Sequence, residues 1–349
     1  VWETSPAAAE LEEKVMHWLR DMIGLPGVFE GVIQDTASTA TLVALLTARE
    51  KVSEYRINEE GFSGSEKFRI YCSSEAHSSV EKAVKMAGFG RKNLVRVEVD
   101  EALAIIPEKL NEAIQKDLDD EMLPLCVVAA LGTTGTSAID PLEPIAEIYK
   151  YHNVWLHVDA AYAGSALVLP ETRWMIKGIE GVDSFVFNPH KWMFTNFDCS
   201  VYFVRDAEQL IKTFEILPEY LKTRTRGEVN DYRDWGIPLG RRFWALKLWF
   251  VIRYYGLEKL MDMVRGHISF AAALAEMIDQ QEGFELIAPT PLNTVSFRYN
   301  PGGLDNEEVN RINEKLNHIL NDSGKLYLTH TNLDGNYVLR MVTSQTNVS

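Results

Sequence analysis

Lys191 stands beside His190 in the stretch FNPHKWMFTNFDCS, residues 187–200, with Trp192, Met193 and Phe194 directly after it. An ammonium group in so apolar a setting either reaches water along its flexible stem or spends part of its time neutral. A neutral lysine amine is a nucleophile toward carbonyl carbon. Asp159 lies 32 residues earlier, at the end of the apolar run WLHVD. His77 follows FRIYCSSEA, and Thr133 and Thr134 follow VVAALG. Each also has an ordinary use. An isolated aspartate after a strand caps the next helix, a lone histidine is a satisfied core or loop group, and Thr-Thr-Gly makes a turn. The stretch QDTASTATLVALL sets Thr36, Ala37, Ser38 and Thr39 before an apolar helical run. The free N–H groups and dipole of such a helix start form a seat for phosphate, or a plain N-cap.

Short apolar, β-branched runs must position these residues: 68–73, 125–134, 154–163, 184–190 and 199–206. Helical patterns separate them, among them Ser79–Ala87 and Pro141–Tyr151. Strands apolar throughout and divided by helices read as an α/β fold, its mostly parallel sheet covered on both faces. Ligands of such sheets sit at the carboxyl ends of the strands. His77, Thr134, Asp159, His190 and Lys191 are all expected at that edge. Ahead of the sheet, Ser5 and Pro6 start a helix with Leu11, Val15, Trp18, Leu19 and Met22 on one face, which Gly24, Pro26 and Gly27 end. From about Trp244 a long helical region, Phe243–Phe270 and beyond, leads to NTVSFRYN, a helix at Asn306–Asn321 and the run YVLRMVTS. That pattern predicts a large domain over 1–247 and a smaller α+β domain over 248–349.

Net charge is −15 over 349 residues, which argues against nucleic acid or an anionic membrane as the main partner. No apolar run reaches membrane-spanning length. Cys72, Cys126 and Cys199 lack metal-type spacing and fit a reducing, cytoplasmic setting better than a disulfide framework. His152 and His157 are not expected to bind metal, since one precedes a strand and the other points into it.

One cofactor, pyridoxal phosphate, uses a lysine, an aspartate, a stacking ring and a phosphate seat together. The lysine condenses with its aldehyde, and the aspartate keeps its ring nitrogen protonated.

The motifs TSPAAAELE, TASTATLVALL, SSEAHSSVEKA, LGTTGTSAIDPL, WLHVDAAYAGSA, FNPHKWMFTNFDCS and DYRDWGIPLGRRFWALKLW occur in this order. With them the chain resembles, across nearly its whole length, the group II pyridoxal-phosphate decarboxylases of fold type I, within them the aromatic-L-amino-acid decarboxylases. The resemblance implies that Lys191 links the cofactor and Asp159 pairs with the pyridine nitrogen. It implies that His77 stacks on one ring face and Ala161 packs on the other. Ala37, Ser38, Asn188 and His190 would hold the phosphate, with Thr134 close by. Residues 216–235 resemble the family's mobile catalytic loop, in which Tyr220 would protonate the α-carbon after carbon dioxide leaves. Trp2 and Gly240 are expected in the substrate pocket. Glycine at 240 resembles enzymes acting on dopa, 5-hydroxytryptophan or tryptophan.

The implied reaction is α-decarboxylation of an aromatic L-amino acid to the amine, in a homodimer with the active site at the interface. Two alternatives stay open. One is an aldehyde synthase, in which the loop tyrosine or stacking histidine is replaced. The other is an inactive, cofactor-binding fragment or non-catalytic subunit, since the chain starts on Val1 and both ends look cut beside the family.

Overall fold

The computed structural model describes residues 2, 4–216 and 229–348. Seven strands form the main sheet: β1 (Glu30–Gln34), β2 (Phe68–Ser73), β3 (Leu94–Val97), β4 (Leu123–Ala130), β5 (Trp155–Asp159), β6 (Ser184–Phe187) and β7 (Ser200–Val204). Their order is β1-β7-β6-β5-β4-β2-β3. The pairs β6–β5, β5–β4, β4–β2 and β2–β3 are parallel, while β7 is antiparallel to both β6 and β1. Only β7 is reversed, so the carboxyl ends of the other six strands share one edge.

The central strands β4, β5, β6 and β7 are buried along almost their whole length because both faces are covered. Along β4, Val127 and Ala129 join one core, while Cys126 and Val128 join the other. Helices α1 (Pro6–Ile23), α5 (Pro107–Asp119), α6 (Leu142–His152) and the first half of α9 (Trp244–Asp279) contribute to the first core. Helices α2 (Ala37–Val52), α4 (Ser78–Met86) and α8 (Ala207–Phe214) contribute to the second, beside the short α3 (Arg56–Glu60). One turn, α7 (Pro189–Trp192), follows β6. A four-stranded antiparallel sheet of β8 (Phe284–Leu286), β9 (Thr294–Tyr299), β10 (Thr329–Leu333) and β11 (Asn336–Val342) carries the third core. The helix α10 (Asn306–Asp322) packs on it and begins in a capping box, Asp305 with Glu308.

Several expectations change in detail. Ser5 precedes α1 without a side-chain cap; its carbonyl accepts from the Ala8 and Ala9 N–H groups instead. The run 125–134 leaves the sheet after Ala130, where Gly132 turns at φ 83°. The run 154–163 stops at Asp159 and a 3-10 helix takes over at Ala163. There Gly164 allows close packing, since a Cβ on it would stand 2.3 Å from Phe187 Cβ. Lys191 lies on α7 rather than at a strand end, because Pro189 holds a helical first position after an extended Asn188. The long helix starts at Trp244, with a non-helical residue at Gly256, and the expected domain border at 247/248 falls inside it.

A buried ion pair ties the start of the chain to the approach to α9. Glu12 accepts from Arg241 at 2.6 and 2.9 Å and from the Ile33 N–H at 2.9 Å.

Candidate active site

A cavity of about 260 Å³ opens at the carboxyl edge of the main sheet. Nine expected residues line it together: Ala37, Ser38, His77, Thr134, Asp159, Ala161, Asn188, His190 and Lys191. Their convergence follows from strand direction. β1 points the same way as β6, so the start of α2 reaches the edge where β2, β4, β5 and β6 end.

Lys191 opens onto this cavity. Burial lowers its pKa, and the charge of Asp159 offsets that fall only in part. Among the described residues its Nζ has no hydrogen-bond partner, so the amine is left available. The Asp159 carboxylate is oriented by the Ala161 N–H, which donates to Oδ1 at 3.0 Å.

His77 is the N-cap of α4, and its Nδ1 accepts from the Ser79 N–H at 3.1 Å, with Ser79 Oγ at 2.8 Å. That use of Nδ1 leaves the ring proton on Nε2. The ordinary role and the site role coincide in one residue. His190 Nδ1 lies 2.9 Å from the Cys199 N–H and 2.7 Å from the Cys199 carbonyl, so it accepts from the first or, protonated, donates to the second. Burial, against the raising effect of the Cys199 hydrogen bond and helped by the Lys191 charge, lowers its pKa and favours the neutral ring. Ser200 Oγ donates to Asn188 Oδ1 at 2.6 Å, which turns the Nδ2 amide donor free.

Thr36 caps α2, with Oγ1 accepting from the Thr39 N–H. Its first turn carries no acidic residue to compete for an anion. A lysine amine, an opposed aspartate, a donor-rich helix start and a flat-ringed histidine in one cavity fit pyridoxal phosphate.

Trp2 and Gly240 stand elsewhere. Trp2 packs against the second core, and Gly240 is exposed with open space where a Cβ would go. Tyr220 lies outside the described residues. No group of three His, Cys, Asp or Glu side chains among the described residues is arranged to hold a metal. His152 meets Asn111, and His157 is buried against Ser184. The sequence reading passed over Tyr162 and Phe197, which also line the cavity. Tyr162 sits three residues past Asp159, a spacing that could have flagged it. Phe197 meets the His190 ring edge-on at 4.8 Å, with no comparable signal.

Residues 1–300 match the pyridoxal-dependent decarboxylase conserved domain. The chain belongs to that family. Tyrosine decarboxylase 2 of Narcissus pseudonarcissus is 42% identical, over 97% of this chain and 69% of its own length. Phenylacetaldehyde synthase of Arabidopsis thaliana is also 42% identical, over 97% of this chain and 70% of its own. The solved structure of Oryza sativa TDC with PLP and tryptamine superposes with a TM-score of 0.94 at 36% identity. That match covers 98% of this chain and 73% of the other. As a member of the pyridoxal-dependent decarboxylases, the chain is a carboxy-lyase of fold type I with pyridoxal phosphate as cofactor.

Proposed function

We propose that the protein removes the α-carboxyl group of an aromatic L-amino acid as carbon dioxide and releases the amine. The observation that supports this most is the shared cavity of Lys191, Asp159, His77 and the start of α2. Pyridoxal phosphate bound there supplies an electron-withdrawing ring that takes up the electron pair of the bond broken at the α-carbon. Lys191 would hold the cofactor's aldehyde, and Asp159 would keep the proton on the ring nitrogen. His77 would cover one ring face and Ala161 would leave room for close packing on the other. The N–H groups of Ala37 and Ser38, with Asn188 and His190, would hold the phosphate, with Thr134 at the rim. Tyr220 would deliver the proton to the α-carbon.

The aromatic substrate is supported by the names of the relatives, tyrosine decarboxylase and a tryptamine-bound enzyme. The phenylacetaldehyde synthase relative favours a second reading, decarboxylation with oxidative deamination. Retention of both Tyr220 and His77 supports the amine-forming course.

We also propose a homodimer. On α9 before Gly256, Leu246, Phe250 and Tyr254 are exposed at one-face spacing, with Phe243 exposed just ahead of the helix. Trp2 and Gly240 would then meet substrate across the subunit contact. An active monomer in analytical ultracentrifugation would remove this proposal. A reducing, cytoplasmic setting is supported by three buried, unpaired cysteines.

The deciding experiment measures carbon dioxide, amine and ammonia from L-dopa, 5-hydroxytryptophan, tryptophan, tyrosine, phenylalanine, histidine and glutamate. Amine equal to carbon dioxide on an aromatic substrate supports the proposal. Ammonia in its place shifts the reading to the aldehyde synthase, and no carbon dioxide from any substrate overturns both. Tyr220→Phe is expected to retain the cofactor and divert product toward aldehyde and ammonia.

A further inference from the structure

The four-residue turn α7 is too short to fix its own orientation, so Lys191 is aimed by its neighbours. On the amino side, Asn188 and His190 are held by Ser200 and Cys199. On the other side stands Trp192, fully buried. Tyr162 stacks on its ring at 5.1 Å and 9°. Its indole Nε1 donates to His267 Nδ1 at 3.0 Å.

His267 belongs to α9, 76 residues beyond Lys191. Since its Nδ1 accepts, Nε2 carries the proton and donates to the Gln345 carbonyl at 3.0 Å. Thr343 Oγ1 donates to the His267 carbonyl at 2.8 Å. Asn293 Nδ2 joins the same segment to the stacking ring, at 2.6 Å from both Tyr162 Oη and the Thr343 carbonyl. Both ring contacts of Trp192 therefore lead to the chain segment after β11.

We infer that His267 is a positioning residue for Lys191, acting through Trp192 with its Nδ1 as acceptor. It touches neither the cavity nor the reacting atoms. Without that acceptor the indole N–H is buried unpaired, and the turn shifts to relieve it. The inference rests on Lys191 being the cofactor-linking residue.

Cofactor-free protein is mixed with pyridoxal phosphate and the rise of visible absorbance followed. Wild type is compared with His267→Leu, His267→Asn, Trp192→Phe and the double variant Trp192→Phe/His267→Leu. His267→Leu is expected to slow attachment roughly tenfold and to lower kcat with KM little changed. His267→Asn restores most of the rate, because its Oδ1 occupies the place of Nδ1. In the Trp192→Phe background, where no N–H needs an acceptor, the leucine change adds little. Unchanged attachment in His267→Leu overturns the inference, as does an equal penalty in both backgrounds. Should His267→Leu not fold, His267→Asn decides: near-normal attachment supports the role and lost attachment overturns it. Lys191→Ala is run in parallel. Absorbance surviving there removes the Lys191 assignment, whereas the His267 series bears on the positioning role alone.

Discussion

At Lys191 two effects of opposite sign meet. Burial disfavours the ammonium form and the Asp159 carboxylate favours it; burial is the larger, so the pKa falls below the ordinary lysine value. A larger share of the amine is then unprotonated near neutral pH, which suits a nucleophile. Lys191→Ala is expected to fold yet show none of the visible absorbance of covalently held pyridoxal phosphate. Asp159→Asn removes a charge worth about 1–3 pKa units to an adjacent cation. Its decarboxylation rate should therefore drop by about 10- to 1000-fold, read as kcat with saturating cofactor. Lys191 and Asp159 were legible because each is a charged residue closing or entering an apolar run, where charge is costly without a purpose. His267 was not, since nothing local marks a histidine inside a long helix as the partner of a tryptophan 75 residues earlier.

Elements deliver these residues with little tolerance. The glycine at 164 lets the segment after β5 lie against β6, the strand that leads into α7. Gly164→Ala forces Cβ into Phe187 and should cost about 1–3 kcal/mol of stability by overpacking. Denaturant unfolding would measure it, and weaker cofactor retention should accompany it. Strands β2, β4, β5, β6 and β7 are readable as apolar runs; the bounds of β2 are readable too, while β4, β5 and β6 stop short of their runs. An apolar run continues past Ala130 and Asp159 into turns whose backbone is set by Gly132 and Gly164, contacts invisible in linear order. β1 and β3 carry no such run and are not legible as strands. Glu30–Gln34 is short, has few strongly strand-favouring residues, and gains its place by pairing with β7 and by the Glu12 and Arg241 bonds to Ile33.

Taken whole, the molecule carries a pH liability unrelated to catalysis. His157 is fully buried on β5, and burial lowers its pKa to about 4. The unfolded chain, with an ordinary value of 6.5, binds this proton first as pH falls. Stability is therefore complete above about 6.5 and lost progressively toward about 4, by roughly 3 kcal/mol. His157→Gln should flatten that part of the stability profile in urea titrations from pH 7 to 4. A profile as steep as wild type would assign the acid sensitivity to other groups.

The reversal of β7 has a consequence in time. β1 and β7 are neighbours in the sheet, yet about 170 residues separate them in the chain. A ribosome building this protein exposes β1 early, then makes five more strands and most of the helices before its partner emerges. Until then β1 has an open edge and its apolar residues are uncovered on that side. The catalytic turn is made just before β7, so the lysine leaves the ribosome almost together with the strand that closes the sheet.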